Sequence, residues 1–408
     1  MNEVGPRCGP TSLAFGRSVV VRGVSGRVAG LGRSATVSLF DVVGELRAAG
    51  RSIVDVSGGQ PDFATGEHVV AAAVAALHEG FTHYTASRGL PELRELVSAK
   101  LLADNGIAVP PGDVVITPSA KHGLYAALLT LVDPGDEVVV PTPSWVSYQA
   151  MARLVGGVPV EAELSGANGF RLTREVLEGA VSGRTKAVLV NTPNNPTGRA
   201  LDAEEAGVLA EFAVAHDLYV VADEIYEAVL FDGRRHLSVA ALPGCAERTL
   251  TVNGFSKSHA MTGWRLGWVA GPGEVMAELV KVQEHTVSCA GSFVQRGGIA
   301  ALSGPGEYVA GMVESYDRRR RVVVDGLNAL PGVSCALPEG TFYAFADVSG
   351  AGKGGSVEFA EWALRSAGVA VTPGVAFGAG GEGYVRLSFA APVEVVREAL
   401  ARLARALG

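Results

Sequence analysis

From about residue 53 onwards the chain alternates short β-branched apolar runs with longer stretches of helical period. The runs at 53–56, 114–117, 137–140, 187–190, 218–222, 250–252 and 266–270 are candidate strands. Apolar positions at helical spacing over 91–102, 122–131 and 203–216 predict helices between several of them. Strands separated by helices imply a mostly parallel sheet with both faces covered.

Near residue 304 the pattern changes. A long charged helix is predicted over 307–327, carrying Arg318-Arg319-Arg320-Arg321, which reads as a solvated helix face. Shorter strands follow at 342–346 and 384–389, then a closing helix over 393–407. The expected fold class is α/β. A large domain (61–304) holds the mostly parallel sheet, and a smaller α+β domain is built from 34–60 and 305–408. No internal repeat is visible.

Composition narrows the function. With 408 residues, 48% of them hydrophobic, the chain has ample material for a large core. A net charge of −8 offers no electrostatic footprint for nucleic acid or an anionic membrane. No apolar run approaches the roughly 18 residues that span a bilayer. Cys8, Cys245, Cys289 and Cys335 are scattered without a CxxC pair, as expected of reduced thiols in a cytoplasmic protein. The first 33 residues differ: Arg7, Arg17, Arg22, Arg27 and Arg33 stand against Glu3 as the lone acid. They read as a flexible arm that packs on a partner subunit, with a targeting segment or a misassigned start as the alternatives.

The most informative stretch is Gly254-Phe255-Ser256-Lys257-Ser258-His259-Ala260-Met261-Thr262-Gly263-Trp264-Arg265-Leu266-Gly267. It sets a lysine in a small-residue turn, between the apolar run at 250–253 and a second one expected from Trp264 to Ala270. Lysine is scarce: Lys100, Lys121, Lys186, Lys257, Lys281 and Lys353 are the whole set. A lysine kept where arginine is the habit suggests a need for a deprotonable amine, and Schiff-base chemistry needs one. An amine reactive near pH 7 requires a pKa about 3 below the ordinary lysine value of about 10.4, a difference of about 4 kcal/mol. Burial and a nearby cation, with Arg265 the natural contributor, push that way.

Four further segments join this turn: Ser57-Gly58-Gly59-Gln60-Pro61-Asp62-Phe63, Asn191-Thr192-Pro193-Asn194-Asn195-Pro196-Thr197-Gly198, Ala222-Asp223-Glu224-Ile225-Tyr226 and Val385-Arg386-Leu387-Ser388. Asn195, Asp223 and Lys257 each fall at or past the C-terminal end of a predicted strand, where open parallel sheets place their ligand crevice. Asp223 ends an apolar run, and a buried carboxylate there is costly unless paired. Together the five segments, in this order, resemble the class I/II aminotransferases, pyridoxal-phosphate enzymes of fold type I related to the aspartate aminotransferases. The resemblance runs from about Ser34 to the C-terminus.

It implies that Lys257 binds pyridoxal 5'-phosphate as a Schiff base, that Asp223 pairs with the pyridine nitrogen, and that Asn195 and Tyr226 hydrogen-bond the ring oxygen. The turn Thr117-Pro118-Ser119-Ala120-Lys121 precedes a predicted helix, so the Ala120 and Lys121 amides can face the phosphate; Ser119, Ser256 and Arg265 complete that pocket by resemblance. Trp145 takes the place of the ring that stacks on the cofactor. Ser144 stands where many relatives carry tyrosine. Arg386 matches the arginine that grips the substrate α-carboxylate, assisted by the Gly59 amide. Tyr84 looks like the tyrosine that reaches the neighbouring subunit's phosphate, which makes a homodimer with shared sites the expected assembly.

Two motifs are set aside. Gly378-Ala379-Gly380-Gly381-Glu382-Gly383 fits GxGxxG but precedes a strand, the reverse of the dinucleotide-binding order. The eight histidines show no metal-ligand spacing, although His122 and His259 lie near the proposed site. The expected activity is amino-group exchange between amino acids and 2-oxo acids. The same scaffold and cofactor could instead run elimination, replacement, cyclisation or carbon–carbon bond formation. A ligand-sensing regulator is the reading from another class, but the arm is too short for a DNA-binding domain. Side-chain selectivity is expected around Phe40, Arg88, Ser144 and His285.

Overall fold

The computed structural model describes residues 23–32 and 35–408. The described residues up to Leu31 belong to a unit of their own, in which Gly26–Ala29 makes one helical turn. Most of the predicted N-terminal arm, and the Phe40 side chain, lie outside the described residues.

Gly32–Gly408 form the second unit. Its main sheet has seven strands. In chain order they are β2 (Val114–Thr117), β3 (Glu137–Thr142), β4 (Val158–Glu163), β5 (Thr185–Asn191), β6 (Tyr219–Asp223), β7 (Thr249–Gly254) and β8 (Gly267–Ala270); β1 (Val54–Asp55) lies outside this sheet. The spatial order is β2-β8-β7-β6-β5-β3-β4. β8 runs antiparallel to both its neighbours, and the remaining pairs are parallel. Every residue of β2, β3, β7 and β8 is buried, as expected when helices cover both faces.

The helical cover includes Pro91–Asn105, Ala120–Leu131 and Ala203–Ala215 at the predicted places. Two of these carry clear terminal signals. Pro91 opens the first, and Gly106 at φ 70° closes it; Asp202 and Glu205 form a capping box on the third. Glu67–His78, Gly273–Thr286 and Ser292–Ser303 are additional helices that the sequence pattern did not single out.

The C-terminal part contains β9 (Ser334–Cys335), β10 (Tyr343–Asp347), β11 (Val369–Ala370), β12 (Thr372–Pro373) and β13 (Tyr384–Ser388). Four of them form an antiparallel sheet in the order β12-β13-β10-β9, while β1 pairs in parallel with β11. The Glu307–Asn328 and Val393–Leu407 helices pack on one another and on these strands.

Three expectations need correction. Strand β8 starts at Gly267, because Thr262–Trp264 is a 3-10 turn and Arg265 takes a left-handed φ of 55°. Strand β4 went unpredicted: it is the edge of the sheet, with Pro159 and solvent-facing Glu161 and Glu163 breaking its apolar pattern. The arginine run is not a solvated face. Successive helical residues are about 100° apart, so four in a row must encircle the helix. Arg318 and Arg321 face solvent, whereas Arg320 is fully buried and makes two 2.8 Å hydrogen bonds to Asp232. Arg319 pairs with Asp62 at 2.7 Å and lies over the Phe63 ring.

Candidate active site

The site grows from three adjacent parallel strands, β5, β6 and β7. Their C-terminal ends lie side by side, so Asn195, Asp223 and Lys257 converge although widely separated in sequence. Asn191, the last residue of β5, ties two of these ends together. Its amide nitrogen donates to the Asp223 carbonyl at 2.9 Å, and its side-chain oxygen accepts the Asn195 N–H at 2.8 Å.

Asp223 is 3% exposed. Its carboxylate accepts the Tyr148 hydroxyl at 2.7 Å and the Ile225 N–H at 3.2 Å. Burial outweighs these bonds and the nearby Lys257 charge, raising its pKa to about 6. Such an acid lacks a full counter-charge and suits a cationic N–H.

Lys257 donates from Nζ to the Gly59 carbonyl at 2.5 Å and lies above the Tyr226 and Phe342 rings. Burial first, then the Arg386 and Arg265 cations, lowers its pKa to about 8. The depression is somewhat smaller than the chemistry suggested, and Arg386 contributes more to it than Arg265.

Arg386, on β13, is 2% exposed. Its guanidinium donates to the Asn195 side-chain oxygen and to the Ser57 carbonyl, both at 2.8 Å, while Nε has no protein partner. Tyr226 is buried, and its hydroxyl lies 3.1 Å from that of Tyr343.

Opposite these groups stands the N-terminus of the Ala120–Leu131 helix, whose first amides have no intrahelical acceptor. Ser119 precedes it at φ 95°, buried, with Oγ accepting the His122 N–H. A Cβ at Gly267 would meet the Ala120 nitrogen at 2.4 Å, so glycine is needed where β8 passes this turn. Ser256 is buried and Arg265 exposed, its guanidinium donating to the Thr262 carbonyl at 2.7 Å. Lys121 places Nζ 4.7 Å from the centre of the half-buried Trp145 ring. Burial and the Arg265 charge lower its pKa.

This donor set fits a pyridine aldehyde phosphate. A buried acid awaits a cation, a partly neutral amine awaits a carbonyl, and a helix N-terminus with Arg265 awaits an anion.

Not every predicted residue joins this cluster. Tyr84 is 89% exposed, beyond the Glu67–His78 helix. His259 pairs with Ser258 Oγ at 2.8 Å, and burial lowers its pKa to about 4, so it is neutral. Among the selectivity candidates, Arg88 spends its guanidinium on the Gly112 carbonyl, Ser144 is buried and His285 is exposed.

Sequence reasoning missed Tyr148 and Tyr343, whose roles arise from tertiary contacts. It also missed the buried network behind Asp223. There Glu224 accepts the Ser238 hydroxyl at 2.7 Å and lies 3.0 Å from His236, while Glu227 pairs with Lys100 and accepts from Asn105 at 2.6 Å. Burial opposes charge on His236, but the two glutamates raise its pKa above the ordinary value. Lys100 and His236 thus stand beside two buried glutamates, the kind of pairing by which buried carboxylates are tolerated.

Known proteins resemble this chain over most of its length. A family profile for aminotransferase class I and II covers residues 51–403. An aspartate aminotransferase of Musicola paradisiaca is 45% identical over 388 residues, covering 95% of this chain and 97% of that protein. The crystal structure of the aspartate aminotransferase from Rhizobium meliloti superposes with a TM-score of 0.91 at 38% identity, covering 95% of this chain and 99% of that one. The aspartate aminotransferase from Thermus thermophilus with maleate gives 0.89 at 42% identity, covering 95% and 100%. The amine, acid and arginine gathered at the strand ends are thus set in a scaffold shared over nearly its whole length, and the chain belongs to the class I and II aminotransferases, as a pyridoxal-phosphate-dependent enzyme.

Proposed function

We propose that the chain moves the amino group of aspartate to a 2-oxo acid, with Lys257 as the amine that bonds the cofactor as a Schiff base. The observation that carries this reading is the placement of Lys257, with a pKa lowered to about 8, between the Asp223 acid and the Arg386 cation. Near neutral pH part of the Lys257 amine is unprotonated and able to attack a carbonyl. Pyridoxal phosphate, when bound, supplies the electron sink for the bond broken at the substrate α-carbon.

The chain's residues do the rest. Asp223 holds a cationic nitrogen, with Tyr148 orienting its carboxylate. Ser119, Ser256, Arg265 and the Ala120 and Lys121 amides hold the phosphate, and Trp145 covers one face of the ring. Arg386, fixed by Asn195 and Ser57, receives the α-carboxylate, assisted by the Gly59 amide. Once free, Lys257 Nζ takes the proton from the substrate α-carbon and returns it later.

Aspartate is favoured by charge. A second carboxylate needs a second cation, and Lys121 offers one over the Trp145 ring. Maleate, present with the Thermus thermophilus relative, is likewise a dicarboxylate.

The assembly we propose is a homodimer, with Tyr84 reaching the neighbouring site. Val70, Val74 and Leu77 support it: they form an exposed apolar stripe on the helix leading to Tyr84. The division into a large domain (61–304) and a smaller one (34–60 with 305–408) is part of this reading, supported by the β1–β11 pairing. A cytoplasmic location agrees with the free Cys245, Cys289 and Cys335. Among the described residues no helix is long and apolar enough to cross a membrane.

The test is a panel of amino donors added to holoenzyme. Aspartate and glutamate should convert the cofactor absorbance to that of its amine form; an unchanged spectrum with every donor refutes the reading. Lys121→Ala should lower kcat/KM for aspartate by about 10–100-fold, the scale of one lost charge-assisted contact. Alanine turnover should change far less.

A further inference from the structure

We infer that Tyr343 is a positioning residue for this reaction, its ring supporting the Arg386 guanidinium and its hydroxyl fixing the direction of the Tyr226 hydroxyl. The inference deepens the reading above and rests on it. Tyr343 opens β10 and is 1% exposed. Pairing of β10 with β13 sets Tyr343 opposite Ser388 and Phe345 opposite Arg386. That register brings the Arg386 guanidinium carbon 4.2 Å from the Tyr343 ring centre, with Phe377 at 4.8 Å. Arg386 Nε finds no acceptor, so aromatic faces supply part of its environment.

The hydroxyl does something packing alone does not require. It lies 3.1 Å from the Tyr226 hydroxyl. Burial raises the pKa of both phenols, so both keep their protons. When Tyr343 donates, the Tyr226 proton is free for a third acceptor in the cavity; without that bond the Tyr226 hydroxyl is free to rotate.

Gly59 completes the case. A Cβ there would come within 2.9 Å of the Tyr343 hydroxyl, and the Gly59 carbonyl accepts Lys257 Nζ. One side chain thus touches the carboxylate grip, the ring-oxygen donor and the segment that holds the lysine. The charged or titratable groups facing the phenol pair are Arg386, Asp223 and Lys257.

The experiment compares holoenzymes carrying Tyr343→Phe and Tyr343→Leu with wild type. It records maleate affinity by calorimetry, the pH midpoint of the bound cofactor's visible absorbance, and thermal stability. Phenylalanine keeps the ring, so maleate Kd should stay within about twofold of wild type while the midpoint moves by about 0.3–1 pH unit. Leucine removes the ring, and maleate Kd should weaken about tenfold. A Tyr343→Phe protein with the wild-type midpoint overturns the inference. So does a Tyr343→Leu protein with wild-type maleate affinity, or a loss of stability alone in both. If the leucine variant fails to fold, the phenylalanine midpoint decides. A wild-type enzyme whose spectrum ignores aspartate is a different failure, and sinks the proposed function instead.

Discussion

At the residue scale the site is a set of charges whose ordinary chemistry has been bent by burial. Asp223 is the clearest case, with its pKa raised from 3.8 to about 6 by desolvation. Without cofactor, the folded chain keeps a proton between pH about 4 and about 6 that the unfolded chain has released. Stability from this group is therefore lost as pH rises through that window, and the loss is complete above it. Asp223→Asn has no such charge to bury. Its apoenzyme should match wild type near pH 4 and be more stable above pH 6, by about 1–3 kcal/mol. Denaturant unfolding of the two apoproteins across pH 4–8 checks this, and a constant difference would contradict it. On the role proposed for Asp223, holoenzyme turnover should meanwhile collapse, since the partner of the cationic nitrogen would be gone. The variant separates an acid kept for catalysis from one kept for folding.

At the element scale, the arginine run on the Glu307–Asn328 helix shows how neighbours in sequence part company in space. Arg318 meets only Glu314 at the surface, an exposed pair worth about 0–1 kcal/mol. Arg320, fully buried, is shared between Asp232, Asp317 and the Pro338 carbonyl. Removing Arg320 strips a buried partner from Asp232, Asp317 and the Pro338 carbonyl, at about 1–3 kcal/mol, since both carboxylates are partly exposed and keep Arg321. Arg320→Ala should therefore shift the denaturation midpoint strongly, and Arg318→Ala hardly at all; equal shifts would mean the burial is wrong. The same run marks a limit of sequence reading: charge composition predicted a solvated face, but only packing decides which of four arginines turns inward. Where local pattern suffices, as for β2 and the Val393–Leu407 helix, the predicted bounds agree with the structure. Strand ends were legible too, so Asn195, Asp223 and Lys257 were found together. Tyr148 and Tyr343 were not, because their partners lie 75 and 117 residues away and are chosen by tertiary packing.

At the scale of the whole molecule, an 89% exposed Tyr84 beside the stripe of Val70, Val74 and Leu77 makes poor sense on a monomer. In the proposed twofold dimer the same patch would meet itself, and each Tyr84 would serve the other chain's site. This arrangement makes a prediction that activity alone can read. In the proposed dimer Lys257→Ala would remove the amine from its own chain, and Tyr84→Ala a phosphate contact from the partner's site. Each homodimer should be impaired, the first completely and the second through weaker cofactor retention. Mixing the two chains by refolding together makes about half of the dimers hybrid. In a hybrid, the site with an intact lysine belongs to the Tyr84→Ala chain and receives Tyr84 from the Lys257→Ala chain. That site is whole, and the other lacks both residues. At limiting cofactor the mixture should recover about a quarter of wild-type activity, from one whole site in half of the dimers. If Tyr84 served its own chain, every lysine-bearing site in the mixture would lack it, and activity would stay at that of the Tyr84→Ala protein diluted by its partner.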